Sequence, residues 1–113
     1  MNDFLNNESK PEYIICAAIW FKDDKQREHQ PKNIANGFVI CGRRHHNCYA
    51  TASLLYKSID EFCEQYSEVK RNAIQGFLTS KDRFVERSEA SEIAFNQKQI
   101  ESKPKILFSE HLY

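Results

Sequence analysis

The chain has 113 residues, 41% hydrophobic and 28% charged, which is enough for one hydrophobic core and too little for two. Its 16 Lys and Arg balance its 16 Asp and Glu, so no net field draws it to a nucleic acid polymer or an anionic membrane, partners that select a basic face. A small anion is still allowed, because two or three local cations are enough to hold one.

Residues 1–10 are polar and read as a flexible N-terminal tail, leaving residues 11–113 as a single ligand-binding domain. The stretch YIICAAIWF, Tyr13 to Phe21, is rich in β-branched and aromatic residues and apolar on both faces, which predicts a central strand. It contains the longest apolar run, far too short to span a bilayer. The N-terminus lacks a cationic start followed by an apolar stretch, so the chain reads as soluble and intracellular, with its four cysteines reduced. Lys22 to Asn36 is charged, holds Pro31 and lacks an apolar period, so it reads as a loop. The turn pair Asn36 and Gly37 leads into a second strand, Phe38 to Cys41, antiparallel to the first.

From Cys48 the period changes. Cys48, Ala52, Leu55, Ile59, Phe62, Cys63, Tyr66 and Val69 step by three or four along one helix, or along two with Ser58, Asp60 and Glu61 at the break. Ala73 to Thr79 reads as a strand and Ser80 to Arg83 as its turn. Phe84 and Val85 then precede a helix that carries Ala90, Ile93 and Ala94 on one face, with Glu86, Ser88 and Glu89 suited to its N-terminal dipole. Ile106 to Phe108 reads as a short last strand. The order β-β-α-β-α-β predicts an α+β fold: a small, mostly antiparallel sheet with two or three helices packed on it.

Chemistry concentrates in the octapeptide CGRRHHNC, Cys41 to Cys48. Zinc would take Cys41, His45, His46 and Cys48, but structural sites usually bring their ligands as two separated pairs, so no metal is expected. Cys48 with His45 or His46 as base would make a nucleophile, yet Cys48 also falls on the apolar helical stripe. No carboxylate cluster for magnesium and no glycine-rich phosphate loop accompanies the stretch, since the acidic pairs (Asp23 with Asp24, Asp60 with Glu61) read as solvated charges. The remaining reading is binding. Arg43, Arg44, His45 and His46 lie between a strand and a helix N-terminus, where free N–H groups and forked guanidinium bonds favour an anion, and the two cysteines are then structural. A second cluster, Gln75 to Arg87, adds the rings Phe77 and Phe84, the hydroxyls Thr79 and Ser80, and the cations Arg83 and Arg87. Rings for a base and cations for phosphates are what a nucleotide pocket needs, although both rings suit a core equally well.

Four segments carry a family resemblance: CAAI-x-F (Cys16 to Phe21), ICGRRHHNC (Ile40 to Cys48), QGFLTSKDRFVERSEASEIA with QI after it (Gln75 to Ile100), and LFSEHLY (Leu107 to Tyr113). Together they resemble the phage Thoeris anti-defence sponges of the first-described type. The resemblance implies a non-enzymatic protein of the host cytoplasm that binds cyclic ADP-ribose isomers made by bacterial TIR-domain proteins, sequesters them intact and so blocks immune signalling. It also implies possible binding of cyclic oligonucleotides at a separate site, no cofactor, and assembly as a dimer or larger homo-oligomer with the pocket at a subunit interface. On that reading Arg44, His45 and His46 form one part of the ligand site and Phe77, Thr79, Ser80, Arg83, Phe84 and Arg87 the other. Phe77 or Phe84 would stack on the purine, Arg83, Arg87 or Arg44 would take the pyrophosphate, and His45 or His46 would bond ribose hydroxyls. Glu86, where Asp or Asn is expected as a helix cap, and His111, where an acidic residue is usual, depart from the pattern. Two other classes stay open: a small phage nucleotide-processing enzyme, and an interaction module that presents Trp20, Tyr13 and the helical face to inhibit a host enzyme.

Overall fold

A computed structural model describes residues 10–58 and 71–112. Strand β1 is Ile14–Phe21 and β2 is Phe38–Gly42; helix α1 is His45–Ser58; β3 is Ile74–Thr79 and β4 is Phe84–Glu86; helix α2 is Arg87–Asn96, followed by a 3₁₀ turn at Ser109–His111. The strands form one antiparallel sheet in the order β2-β1-β3-β4. This is the α+β architecture expected, with β1 inside the sheet because its side chains are apolar on both faces.

Alternation divides β1 between two clusters. Ala17, Ile19 and Phe21 point to the helices and pack with Cys48, Ala52, Phe77, Val85, Ala90, Ala94 and Leu107. Ala18 points the other way, to Ile34 and Phe84, flanked by Trp20, Val39, Ile74 and Leu78. The second face is thus covered by the loop between β1 and β2. That loop also guards both sheet edges: Gln30 accepts from the Val39 N–H at 2.9 Å, and the Asn33 side chain exchanges two hydrogen bonds with the Phe84 backbone at 2.7 and 2.9 Å. Capped edges resist pairing with other chains.

Two glycines are required by space. Gly37 has φ 86° and an added Cβ would lie 2.4 Å from the Phe21 carbonyl, so the expected turn needs glycine there. At Gly76 a Cβ would lie 2.2 Å from the Val85 carbonyl, which keeps β3 and β4 in close approach beneath the Phe84 ring.

Three details differ from the sequence-based expectation. Phe84 and Val85 do not merely precede a helix: with Glu86 they form β4, whose register pairs Leu78 with Phe84 and Gly76 with Glu86. A three-residue edge strand is too short to show an alternating pattern. Ile106 to Phe108 is not a strand either. Leu107 is buried in the core and its N–H donates to the Arg87 carbonyl at 3.0 Å, so a single apolar anchor holds the segment and no ladder does. Helix α1 begins at His45, ahead of Cys48, and its stripe is buried at Cys48 and Ala52 but leaves Leu55 38% exposed. The rest of that stripe, from Ile59 to Val69, and the possible break at Asp60 lie outside the described residues, as does most of the expected N-terminal tail.

Candidate functional site

The octapeptide comes apart on the sheet. Cys41 pairs with Ala18 in the β1–β2 register and therefore lies on the face away from the helices, whereas Cys48 is fully buried on the helix face. Burial pushes the Cys48 thiol up to about 11, and its sulfur lies 3.5 Å from the Arg44 carbonyl and 3.7 Å from that of Ala17. A thiol so placed is a packed side chain and a poor nucleophile. His45 turns inward and is 8% exposed, its Nε2 lying 2.8 Å from the Gly76 carbonyl and its ring meeting Phe77 edge to face at 5.1 Å. Desolvation holds its pKa below the usual 6.5, with nearby Arg87 acting in the same direction and the Gly76 carbonyl opposing. His46 stays exposed and Arg44 half-exposed at the helix start, where Asn47 Oδ1 accepts from the Arg44 N–H at 3.1 Å.

The second cluster divides along the β3–β4 hairpin. At its turn, Thr79 is buried and donates to Glu12 at 2.6 Å. Arg83 forks onto the same carboxylate at 2.8 and 2.9 Å and reaches Glu89 at 2.8 Å. The Arg83 guanidinium holds the Glu12 carboxyl below its usual range, and the two carboxylates raise the arginine's pKa in turn. Ser80 closes the corner, its hydroxyl oxygen accepting from the Tyr13 N–H at 3.0 Å. This is an internally neutralised network.

Arg87 lies at the opposite end of the hairpin, four residues of β3 away from Arg83, or about 13 Å at roughly 3.3 Å per residue. Its guanidinium donates to the Leu107 carbonyl at 3.0 Å and to Gln75 Oε1, and stacks 4.5 Å from the centroid of the Phe108 ring. Gln75 donates onward to the Tyr49 hydroxyl at 3.0 Å. Burial disfavours the charge of Arg87 and lowers its pKa, while Glu110 and Tyr49 pull the other way. Phe108 is 43% exposed, and beside it His111 Nδ1 accepts from the Phe108 N–H at 3.0 Å. A cation, an accessible ring, an amide and a phenol thus meet at one edge, next to the buried imidazole of His45.

Of the residues expected at a ligand site, the structure therefore gathers His45, Phe77 and Arg87, and keeps Thr79, Ser80 and Arg83 at the other end of the hairpin. Phe77 is fully buried and Phe84 is 5% exposed, so neither ring offers an open face for a base in this chain. The exposed ring beside the arginine is Phe108 instead. Sequence did not flag Phe108 or Tyr49, because each comes from a distant segment with no local signal. Among the described residues, no group of three His, Cys, Asp or Glu side chains could hold a metal ion, and no helix is long and apolar enough to cross a membrane.

No curated protein and no solved structure matches the chain. Residues 13–113 match the family described as Phage T4 y16D protein, and the chain belongs to that family.

Proposed function

We propose, with membership of a phage protein family as the premise, that this protein binds and sequesters cyclic ADP-ribose isomers made by TIR-domain proteins, without degrading them. It acts in the host cytoplasm as an anti-defence protein of the Thoeris sponge kind. The observation that carries the reading is the Arg87 guanidinium, half-buried and stacked on the exposed Phe108 ring beside Gln75, Tyr49 and His45.

The messenger carries a purine, two riboses and a pyrophosphate. Arg87 presents a forked donor to the pyrophosphate, and its neutral partners yield more readily than the carboxylates that hold Arg83. Phe108 supplies the flat apolar surface for the purine. Gln75 and Tyr49 offer an amide and a phenol to ribose hydroxyls, while His45, kept neutral by burial, stiffens the strand under the site through the Gly76 carbonyl. Each phosphate contact from a desolvated cation contributes about 1.5–3 kcal/mol. Two such contacts and a stacked base give about 4–9 kcal/mol, so nanomolar affinity, about 12 kcal/mol, also requires the burial of the guest's remaining surface. A second subunit closing over this edge, with Arg44 and His46 of either copy at the rim, would bury more of the guest.

The test is chemical identification of the guest. Purified protein is incubated with cyclic ADP-ribose isomers, freed of unbound ligand, heated, and the released molecule identified by mass and chromatography. Unchanged messenger is the expected result. A transformed product would make the protein a nucleotide-processing enzyme, and an empty protein would leave the interaction module.

A further inference from the structure

The face of the sheet away from the helices holds a feature that nucleotide capture does not use. Cys16 in β1 and Cys41 in β2 lie on that face, since Cys41 pairs with Ala18 and Cys16 is two residues from Ala18 along the strand. Val39, two residues before Cys41, sends its N–H outward to Gln30, so Val39–Trp20 and Cys41–Ala18 are the non-hydrogen-bonded pairs of the ladder, where side chains stand closest. Cys16 is the diagonal neighbour of Cys41. The two thiols are hydrogen-bonded to each other, with Cys41 exposed and Cys16 half-buried. Of the two cysteines of the octapeptide, Cys48 is buried in the core and Cys41 is exposed.

We propose that Cys16 and Cys41 are a cross-strand dithiol that closes reversibly to a disulfide by exchange with a low-molecular-weight disulfide such as glutathione disulfide. The Cys16 thiolate attacks one sulfur of glutathione disulfide, forming a mixed disulfide and releasing one glutathione thiolate. Cys41 then loses its proton and attacks the Cys16 sulfur, which expels the second glutathione. Two protein thiols are oxidised, one glutathione disulfide is reduced to two glutathiones, and the two protein protons end on their sulfurs. Hydrogen bonding from Cys41 lowers the Cys16 pKa to about 7, while the same contact raises that of Cys41, which marks Cys16 as the attacking thiol and Cys41 as the resolving one. Diagonal neighbours in a flat ladder have Cα atoms about 7–8 Å apart, just beyond the usual disulfide span of about 4.4–6.8 Å. Closure therefore draws the strands together under strain, and strained, accessible disulfides are the readily reduced ones.

The reduced full-length chain is incubated with glutathione disulfide, remaining thiols are alkylated, and the peptides are mapped by mass. A Cys16–Cys41 linkage in a chain lighter by two hydrogens, undone by dithiothreitol, is expected. Cys41→Ser, a change at an exposed position, should instead retain one glutathione on Cys16. Glutathione left on the wild-type chain, a linkage through Cys48 or Cys63, or thiols that all stay free would overturn the proposal. So would an unmodified Cys16 in the Cys41→Ser protein, since another thiol must then attack first.

Discussion

The two ends of the β3–β4 hairpin carry the same kind of residue in opposite circumstances. At the turn, Arg83 is forked onto Glu12 and bonded to Glu89, with the buried Thr79 hydroxyl sharing the carboxylate. At the helix end, Arg87 is held by a carbonyl oxygen, an amide oxygen and the face of Phe108. One cation is neutralised by its own chain. The other is desolvated against neutral groups, as its lowered pKa reflects. A guest phosphate at Arg83 would have to displace two bonded carboxylates, whereas at Arg87 it would compete with neutral hydrogen-bond partners and the nearby charge of Glu110. Arginines four residues apart, on either side of Phe84, Val85 and Glu86, thus divide into one paired with carboxylates and one to which the proposed function gives the ligand.

The largest change expected is at Phe77, which lies in β3 between the two ends and is fully buried. Phe77→Ala should cost about 3–5 kcal/mol in urea unfolding and so disturb both ends together. Glu12→Gln separates them. It removes one of the two carboxylates bonded to Arg83 and should lower stability by about 1 kcal/mol, discounted because the Arg83 side chain is 35% exposed, while leaving the Arg87 edge and nucleotide capture unchanged.

Acid should act on the two ends in different windows. Burial lowers the His45 pKa below 6.5, so the unfolded chain binds the proton more tightly than the folded one. The contribution of neutral His45 is then complete above about pH 6.5 and is lost as pH falls below it toward the folded value. Glu12 also has a lowered pKa, so its stabilisation is present above 4.5 and fades as pH drops further. Stability followed by urea unfolding should therefore fall in two stages on acidification, and His45→Gln should flatten the upper stage alone. The smallest effect is expected from Glu89→Gln: its side chain is 50% exposed, and its ion pair with Arg83 should contribute only a few tenths of a kcal/mol.

How far these features were legible in the sequence depended on whether they were local. β1 and β2 were readable because a run of β-branched and aromatic residues precedes a charged loop and an Asn–Gly turn, and the observed bounds, Ile14–Phe21 and Phe38–Gly42, follow that text closely. β4 was not readable: three residues, one of them the N-cap of α2, carry too little pattern to separate a strand from a helix approach. The site was half legible. Arg87 and His45 stood out as cations and imidazoles in motif-like stretches, but Phe108 meets Arg87 only after about twenty intervening residues of chain, brought back by the burial of Leu107 and its carbonyl's bond to the Arg87 guanidinium. Phe77 and Phe84 looked equally suited to ligand or core, and their places on opposite faces of the sheet settled both as core. The contact between Cys16 and Cys41 likewise depends on strand register, which composition does not encode.

The central claim is that the Arg87 edge, and not the Arg83 corner, receives the nucleotide. Calorimetric titration of a cyclic ADP-ribose isomer into Arg87→Ala and Arg83→Ala, both confirmed folded by circular dichroism, tests it side by side. Arg87→Ala should weaken binding by about ten- to a hundredfold, the loss of one desolvated charge-assisted contact, while Arg83→Ala should bind within about twofold of the wild type. Equal losses in both, or full binding by the Arg87 variant, would contradict the account.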